Sequence, residues 1–147
     1  MEWTPEKAYA KLQEIYTDKV MQEEKRRVFD MLERRLRKML NLMGLDKALE
    51  PYETKMKFYQ EFVRIPGDSI FLSMQILFNI ARGERPTDPE MVRMHLDRVY
   101  ELLFTPAGLR TPQIPEMFWS TPLGVACQIA EKGVESVYPL LDEIENQ

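Results

Sequence analysis

The segment Ser69 to Ala81, SIFLSMQILFNIA, constrains the fold more than any other part of this chain. Nine of its thirteen residues are apolar, and on a helical wheel they surround the axis instead of gathering on one side. A helix this apolar is normally enclosed by other elements. It is also too short to span a bilayer, which needs about 20 residues. We therefore expect an all-α domain, an irregular bundle of six or seven helices around this central helix.

Length and cysteine content bound the remaining possibilities. A chain of 147 residues is the size of one domain, so we expect a single helical domain over residues 1–147. One cysteine, Cys127, permits no intrachain disulfide and no all-cysteine metal site. The start of the chain lacks the basic and apolar regions of a secretory signal. These features together predict a cytoplasmic protein without a membrane partner.

Capping residues and glycines predict where the helices begin and end. Thr4, Asp88 and Thr121 each precede a proline, a combination typical of helix starts. Gly44, Gly83 and Gly133 stand where helices should stop. Helices are expected over about 5–16, 18–43, 46–63, 68–82, 89–104 and 122–132, with a last one ending near 145.

The prolines divide the chain into two parts. Prolines at 106, 112 and 115 predict a linker or a packed irregular loop over residues 105–121. This loop separates a helical body, residues 1–104, from a C-terminal helical pair, residues 122–147. The pair is too small to form a domain alone, so we expect it to dock on the body.

The second helix carries a basic cluster, because seven of the fourteen residues from Lys25 to Lys38 are basic. Three of its bases follow an acid by four residues, the favourable spacing for ion pairs on one helix: Glu23–Arg27, Asp30–Arg34 and Glu33–Arg37. A solvated face with internal ion pairs is therefore favoured over a phosphate-binding face. If the protein binds DNA, Arg26 and Arg37 are the expected phosphate contacts.

The C-terminal pair resembles the helix-turn-helix of bacterial regulators. A capped short helix ends at Gly133, and the Gly-Val-x-Ser-Val-Tyr sequence that follows leads into another helix. The spacing is about two residues short of that motif, and Pro139 falls inside the expected recognition helix. Residues 114–147 also contain one base against six acids, a poor composition for contact with a polyanion. Nucleic-acid binding stays an alternative that is not favoured.

Residues with catalytic or ligand chemistry are few. His95 is the single histidine and could ligate haem as in globins, but the Pro-rich loop and two short final helices do not fit the globin layout. Cys127 lies among apolar residues with no activating base nearby in sequence. We find no catalytic, cofactor-binding or metal-binding motif, and we expect a non-enzymatic protein without a cofactor.

Two groups of residues are better candidates for binding. Met117, Phe118 and Trp119 form an apolar group in the loop, which either anchors the C-terminal pair or contacts a partner protein. Asp68, Gln75, Asn79 and Arg82 form a narrow polar seam along the central helix. The seam is expected to face solvent, and if it is enclosed it is the best internal ligand site.

The sequence thus favours a small regulatory or adaptor protein that binds a protein partner through helical surfaces and self-associates. A DNA-associated regulator with a degenerate helix-turn-helix is the first alternative. A small-molecule sensor with a pocket lined by some of the ten methionines is the second.

Overall fold

The computed structural model describes residues 2–42, 65–105 and 110–147, and within these ranges the chain is helical without strands. The expected all-α bundle is therefore confirmed. The helices are α1 (Pro5–Ile15), α2 (Asp18–Leu42), α3 (Ile65–Ala81), α4 (Pro89–Phe104), α5 (Pro122–Lys132) and α6 (Tyr138–Glu145). Two 3-10 helices, Glu116–Ser120 and Val134–Val137, precede α5 and α6 respectively. The helix expected over 46–63 and the stop at Gly44 lie outside the described residues.

The three predicted N-terminal caps are confirmed. The side chains of Thr4, Asp88 and Thr121 each accept a hydrogen bond from a backbone N–H of the first turn, at 3.0–3.3 Å. Gly83 and Gly133 have positive φ, +102° and +92°, which few other residues adopt readily. At Gly133 a ψ of 165° makes the backbone extended instead of left-handed helical, a conformation essentially confined to glycine.

The start of the central helix differs from the prediction. We expected α3 to begin after Pro66 and Gly67, but it begins at Ile65 and contains both residues in its first turn. Proline is tolerated there because the first N–H groups of a helix have no partner within the helix. Gly67 leaves room for the ring of Phe29 on α2, since a Cβ at this position would lie 2.6 Å from that ring.

Helices α3 and α4 pack as an antiparallel pair. Arg98 donates a hydrogen bond to Ser69, Ser73 contacts His95, and Ile76 lines a small cavity together with Met91. The residue numbers of these pairs sum to 167 or 168, as they must when one chain direction opposes the other. The register of the two helices is thereby fixed over about two turns.

The centre of the bundle is shared by α3 and α5. Helix α3 buries Ile70, Met74, Leu77 and Phe78 against its neighbours, as expected for the central helix. Helix α5 is buried to a similar extent, although the sequence indicated only that it docks on the helical body. It contacts α2, α3 and α4, and its buried residues are Leu123, Gly124, Val125, Ala126, Cys127 and Ile129.

The two ends of the described chain are joined by polar contacts between α6 and the N-terminal region. The indole N–H of Trp3 donates to the Asp142 carboxylate at 2.7 Å, and Lys11 Nζ lies 3.0 Å from Glu145 Oε1. No helix in the described ranges has both the length and the apolar character needed to cross a membrane.

Candidate protein-interaction surface

Large apolar side chains that remain in water are the clearest indication of a binding surface. Among the described residues they are Leu42, Leu72, Met94 and Met117. Leu72 on α3 is 60% exposed and Met94 on α4 is 49% exposed. The antiparallel register places Leu72 beside the turn of α4 that carries Met94, because neighbouring Ser73 contacts His95. These two side chains therefore belong to one edge of the α3–α4 pair.

Charged residues surround Met94 along the exposed side of α4. Glu90, Met94 and Arg98 follow one another at intervals of four residues and form a single stripe. A second row, Arg93 and Asp97, runs beside it. We call this surface the Met94 face; it consists of Glu90, Arg93, Met94, Asp97, Arg98 and Glu101 with Leu72 of α3.

The charges of the Met94 face are only partly paired within the chain. Arg93 Nη2 lies 2.9 Å from Asp97 Oδ1, and both side chains are more than half exposed. Arg98 donates to the hydroxyl of Ser69, a neutral partner. Within the described ranges, no ion pair of the chain includes Glu90 or Arg98. The face therefore presents two acids, Glu90 and Glu101, and one base, Arg98, that can pair with a second molecule.

Ser73 and His95 form a buried polar pair beneath the Met94 face. Ser73 Oγ and His95 Nδ1 are 2.9 Å apart, and both residues are buried in the α3–α4 contact. Burial and the nearby Arg98 guanidinium lower the pKa of His95. The sequence had indicated His95 only as a possible haem ligand and had not identified Ser73. The one available signal was a serine between two large apolar residues, Leu72 and Met74.

The aromatic loop residues are divided between core and surface. Phe118 is 3% exposed, and its ring centroid lies 4.7 Å from that of Phe104 and 5.3 Å from that of Trp119. Trp119 is half-buried and also meets Tyr100 edge to face at 6.3 Å. Met117, by contrast, is 77% exposed. Phe118 and Trp119 attach the 3-10 helix to α4, and Met117 is the member of the group that a partner can reach.

The polar seam of α3 lies at the surface, as expected. Asp68 and Gln75 are exposed, while Asn79 and Arg82 are half-buried. The Asn79 side-chain oxygen accepts from Gln75 Nε2 and Arg82 Nη2, each at 3.1 Å. Lys25 of α2 donates to Gln75 at 3.4 Å. The seam is therefore a set of surface hydrogen bonds along α3, joined to α2 through Lys25.

The basic cluster of α2 shows one of the expected ion pairs. Arg37 lies 3.1 Å from Glu33, as predicted, and Arg26 is exposed. Arg34 donates instead to the backbone oxygen of Asp30, at 3.4 Å. The predicted pair of Arg27 with Glu23 is wrong, because Arg27 contacts Glu24.

Glu24 is a buried carboxylate that the sequence pattern did not reveal. It lies on the apolar side of α2, four residues before Val28, and its side chain is 2% exposed. Arg27 Nε donates to it at 2.6 Å, and the backbone N–H of Leu123 also stabilises its charge. Burial outweighs both and raises the pKa of Glu24. The contact with Leu123 places the Glu24 carboxyl group at the positive N-terminal end of α5.

The C-terminal region contains a second buried polar group. Tyr100 donates to Glu131 Oε2 at 3.0 Å and also contacts Cys127. Burial raises the pKa of the Cys127 thiol, so the thiolate needed for nucleophilic chemistry is disfavoured. In the region expected to resemble a recognition helix, residues 134–137 form a 3-10 turn with Val134 and Val137 buried.

The described residues include no cluster of three or more histidine, cysteine, aspartate or glutamate side chains that could hold a metal ion. Compared with known protein families, with curated proteins and with solved structures, the chain shows no significant match.

Proposed function

We propose that this protein is a small non-enzymatic regulatory or adaptor protein that binds another protein through the Met94 face. The observation that carries the proposal is the exposure of Leu72 and Met94 side by side on the packed α3–α4 pair. Apolar groups on the surface of a folded domain gain most when a partner removes them from water.

The chemistry of the face agrees with this role. Methionine and arginine are enriched at protein interfaces, and the face contains Met94, Arg93 and Arg98. A flexible thioether adapts to the shape of a partner without strain. The surrounding charges of both signs supply the polar rim that contributes specificity and orientation.

Paired substitutions at two exposed methionines test the proposal. Met94→Glu places a charge at the centre of the face, whereas Met117→Glu makes the same change on the aromatic loop. Both are surface changes that should alter the free energy of unfolding by less than about 0.5 kcal/mol. Each variant, and the native chain, is used to capture partners from the cells that produce it.

We expect Met94→Glu to abolish capture of a partner that the native chain and Met117→Glu retain. Leu72→Glu should reproduce the loss, because Leu72 belongs to the same face. If Met117→Glu abolishes capture and Met94→Glu does not, the aromatic loop is the binding surface and the proposal for the Met94 face is overturned.

A further inference from the structure

We infer that the partner of the Met94 face is a second copy of this chain, bound by antiparallel pairing of the two α4 helices about a two-fold axis at Met94. This inference rests on the proposed function and names its partner. In a symmetric dimer of this kind, residue i of one copy contacts residue j of the other, and j contacts i. A surface suited to it must be complementary to itself.

The stripe on α4 has this property. A two-fold axis at Met94 brings position 90 of one copy to position 98 of the other, because both lie four residues from 94. Glu90 then faces Arg98 of the second copy twice, and Met94 faces its own copy. Within one chain Glu90 and Arg98 are about 12 Å apart along the helix, too far to pair with each other.

The second row of charges fits the same axis. Arg93 and Asp97 are centred on position 95, one residue from the axis, so Arg93 of one copy lies near Asp97 of the other. Their contact within the chain, at 2.9 Å, joins two side chains that are both more than half exposed and can exchange partners. Glu90, Arg93, Asp97 and Arg98 thus each meet an opposite charge in a single arrangement. Glu101, the fifth charged residue of the face, lies opposite position 87 of the other copy, an exposed threonine.

Leu72 supplies the apolar contact beside the axis. In an antiparallel two-fold contact, the α3 side of one copy faces the α3 side of the other. Leu72 lies next to the Ser73–His95 contact, and so within a turn of Met94 along the pair. The two leucines therefore come together near the centre of the interface, where burial of apolar surface contributes most.

Charge reversal tests this arrangement because the two single variants should complement each other. A self-pair of Glu90→Arg places arginine against arginine at both contacts between positions 90 and 98. A self-pair of Arg98→Glu places glutamate against glutamate at the same two contacts. In a mixed pair each of these contacts joins opposite charges. The measurement is sedimentation equilibrium of each variant alone and of an equimolar mixture, with one variant carrying a fluorescent label.

We expect the native chain to form a dimer and each single variant to dissociate about 10-fold or more readily, the equivalent of 1.4 kcal/mol. The mixture should form a heterodimer with nearly native affinity, and Glu90→Arg/Arg98→Glu should dimerise alone. Arg98→Glu also removes the hydrogen bond from Arg98 to Ser69. That bond is still missing from the Arg98→Glu chains in the mixture, so its loss cannot explain why the mixture recovers affinity.

Two results would overturn the inference. One is a mixture that associates no better than its components, and the other is a native chain that stays monomeric up to millimolar concentration. If the chain is monomeric and Met94→Glu still abolishes capture of a partner, the partner is a different protein and the proposed function stands. If capture is also unaffected by Met94→Glu, both proposals fail.

Discussion

Ser73 and His95 join the two helices of the Met94 face through a buried hydrogen bond, 2.9 Å from Oγ to Nδ1. This pair is one of the three contacts that define the register of α3 against α4, and it lies directly beside Leu72 and Met94 in the chain. The surface proposed for partner binding thus depends on a polar contact inside the protein.

Removal of the serine hydroxyl should therefore be costly. In Ser73→Ala the buried Nδ1 of His95 loses its partner, and we expect the free energy of unfolding to fall by about 1–3 kcal/mol. Ser69→Ala is the matched control, because Ser69 is partly exposed one turn earlier on the same side of α3. Urea unfolding should show a smaller effect for the control. Equal effects would mean that the Ser73–His95 bond contributes nothing particular to stability.

The stability of the fold should depend on His95 below neutral pH. Burial and the charge of Arg98 lower the pKa of His95 from its ordinary 6.5, so below about that pH the unfolded chain binds more protons than the folded one. The free energy of unfolding therefore falls as the pH falls through this range.

His95→Gln removes this contribution and leaves the carboxylates in place. We expect the loss of stability between about pH 7.5 and 5.5, followed by urea unfolding, to be greater for the native chain than for the variant. Parallel pH curves for the two proteins would contradict the assignment of a lowered pKa to His95.

Gly124 permits the close contact between α5 and the 3-10 helix that precedes it. A Cβ at this position would lie 1.9 Å from the carbonyl oxygen of Phe118, a backbone atom that cannot move aside. We expect Gly124→Ala to lower the free energy of unfolding by at least about 2 kcal/mol. In Gly67→Ala the nearest atom belongs to the ring of Phe29, which can shift, so its cost should be smaller. An unchanged stability of Gly124→Ala in thermal unfolding would contradict the observed contact.

Glu24 provides a separate test of how α2 is attached to α5. Glu24→Gln keeps an oxygen that can accept from Leu123, whereas Glu24→Leu leaves that N–H and the Arg27 guanidinium without their acceptor. We expect the leucine variant to be less stable than the glutamine variant by about 1–3 kcal/mol in urea unfolding. Comparable stability of the two variants would show that the buried carboxylate is not an important acceptor.

The helix boundaries could be predicted because their signals are local. Proline after a side-chain acceptor marks the starts of α1, α4 and α5, and positive φ at Gly83 and Gly133 marks two ends. Each signal acts within one turn, so no knowledge of the tertiary structure is needed.

The buried polar contacts could not be predicted, because each depends on which helices become neighbours. Arg27 pairs with Glu24 and not with Glu23, because Glu24 is buried in the α2–α5 contact and needs a partner for its charge there. Ser73 and His95 are 22 residues apart in sequence. The central position of α5 was missed for the same reason, since a short helix with small residues gives no sign of how many neighbours it has.

The sequence predicted the type of candidate surface but not its position. Helical surfaces with methionine and aromatic side chains were expected to bind a partner, and Met117 is indeed accessible. The sequence directed attention to the aromatic loop, although Phe118 is in the core. The Met94 face could be identified only from the structure, because the register of α3 and α4 places Leu72 beside α4.

A photoreactive cross-linker at position 94 tests the central claim most directly. A benzoylphenylalanine replaces Met94 in one protein and the exposed Glu143 of α6 in a control, and both are irradiated in the cells that produce them. We predict an adduct from position 94 that is absent from position 143 and disappears when Leu72→Glu is added. If the partner is a second copy, the adduct has twice the 17.4 kDa mass of the chain. Absence of any adduct from position 94 would contradict the proposal that this face binds a protein.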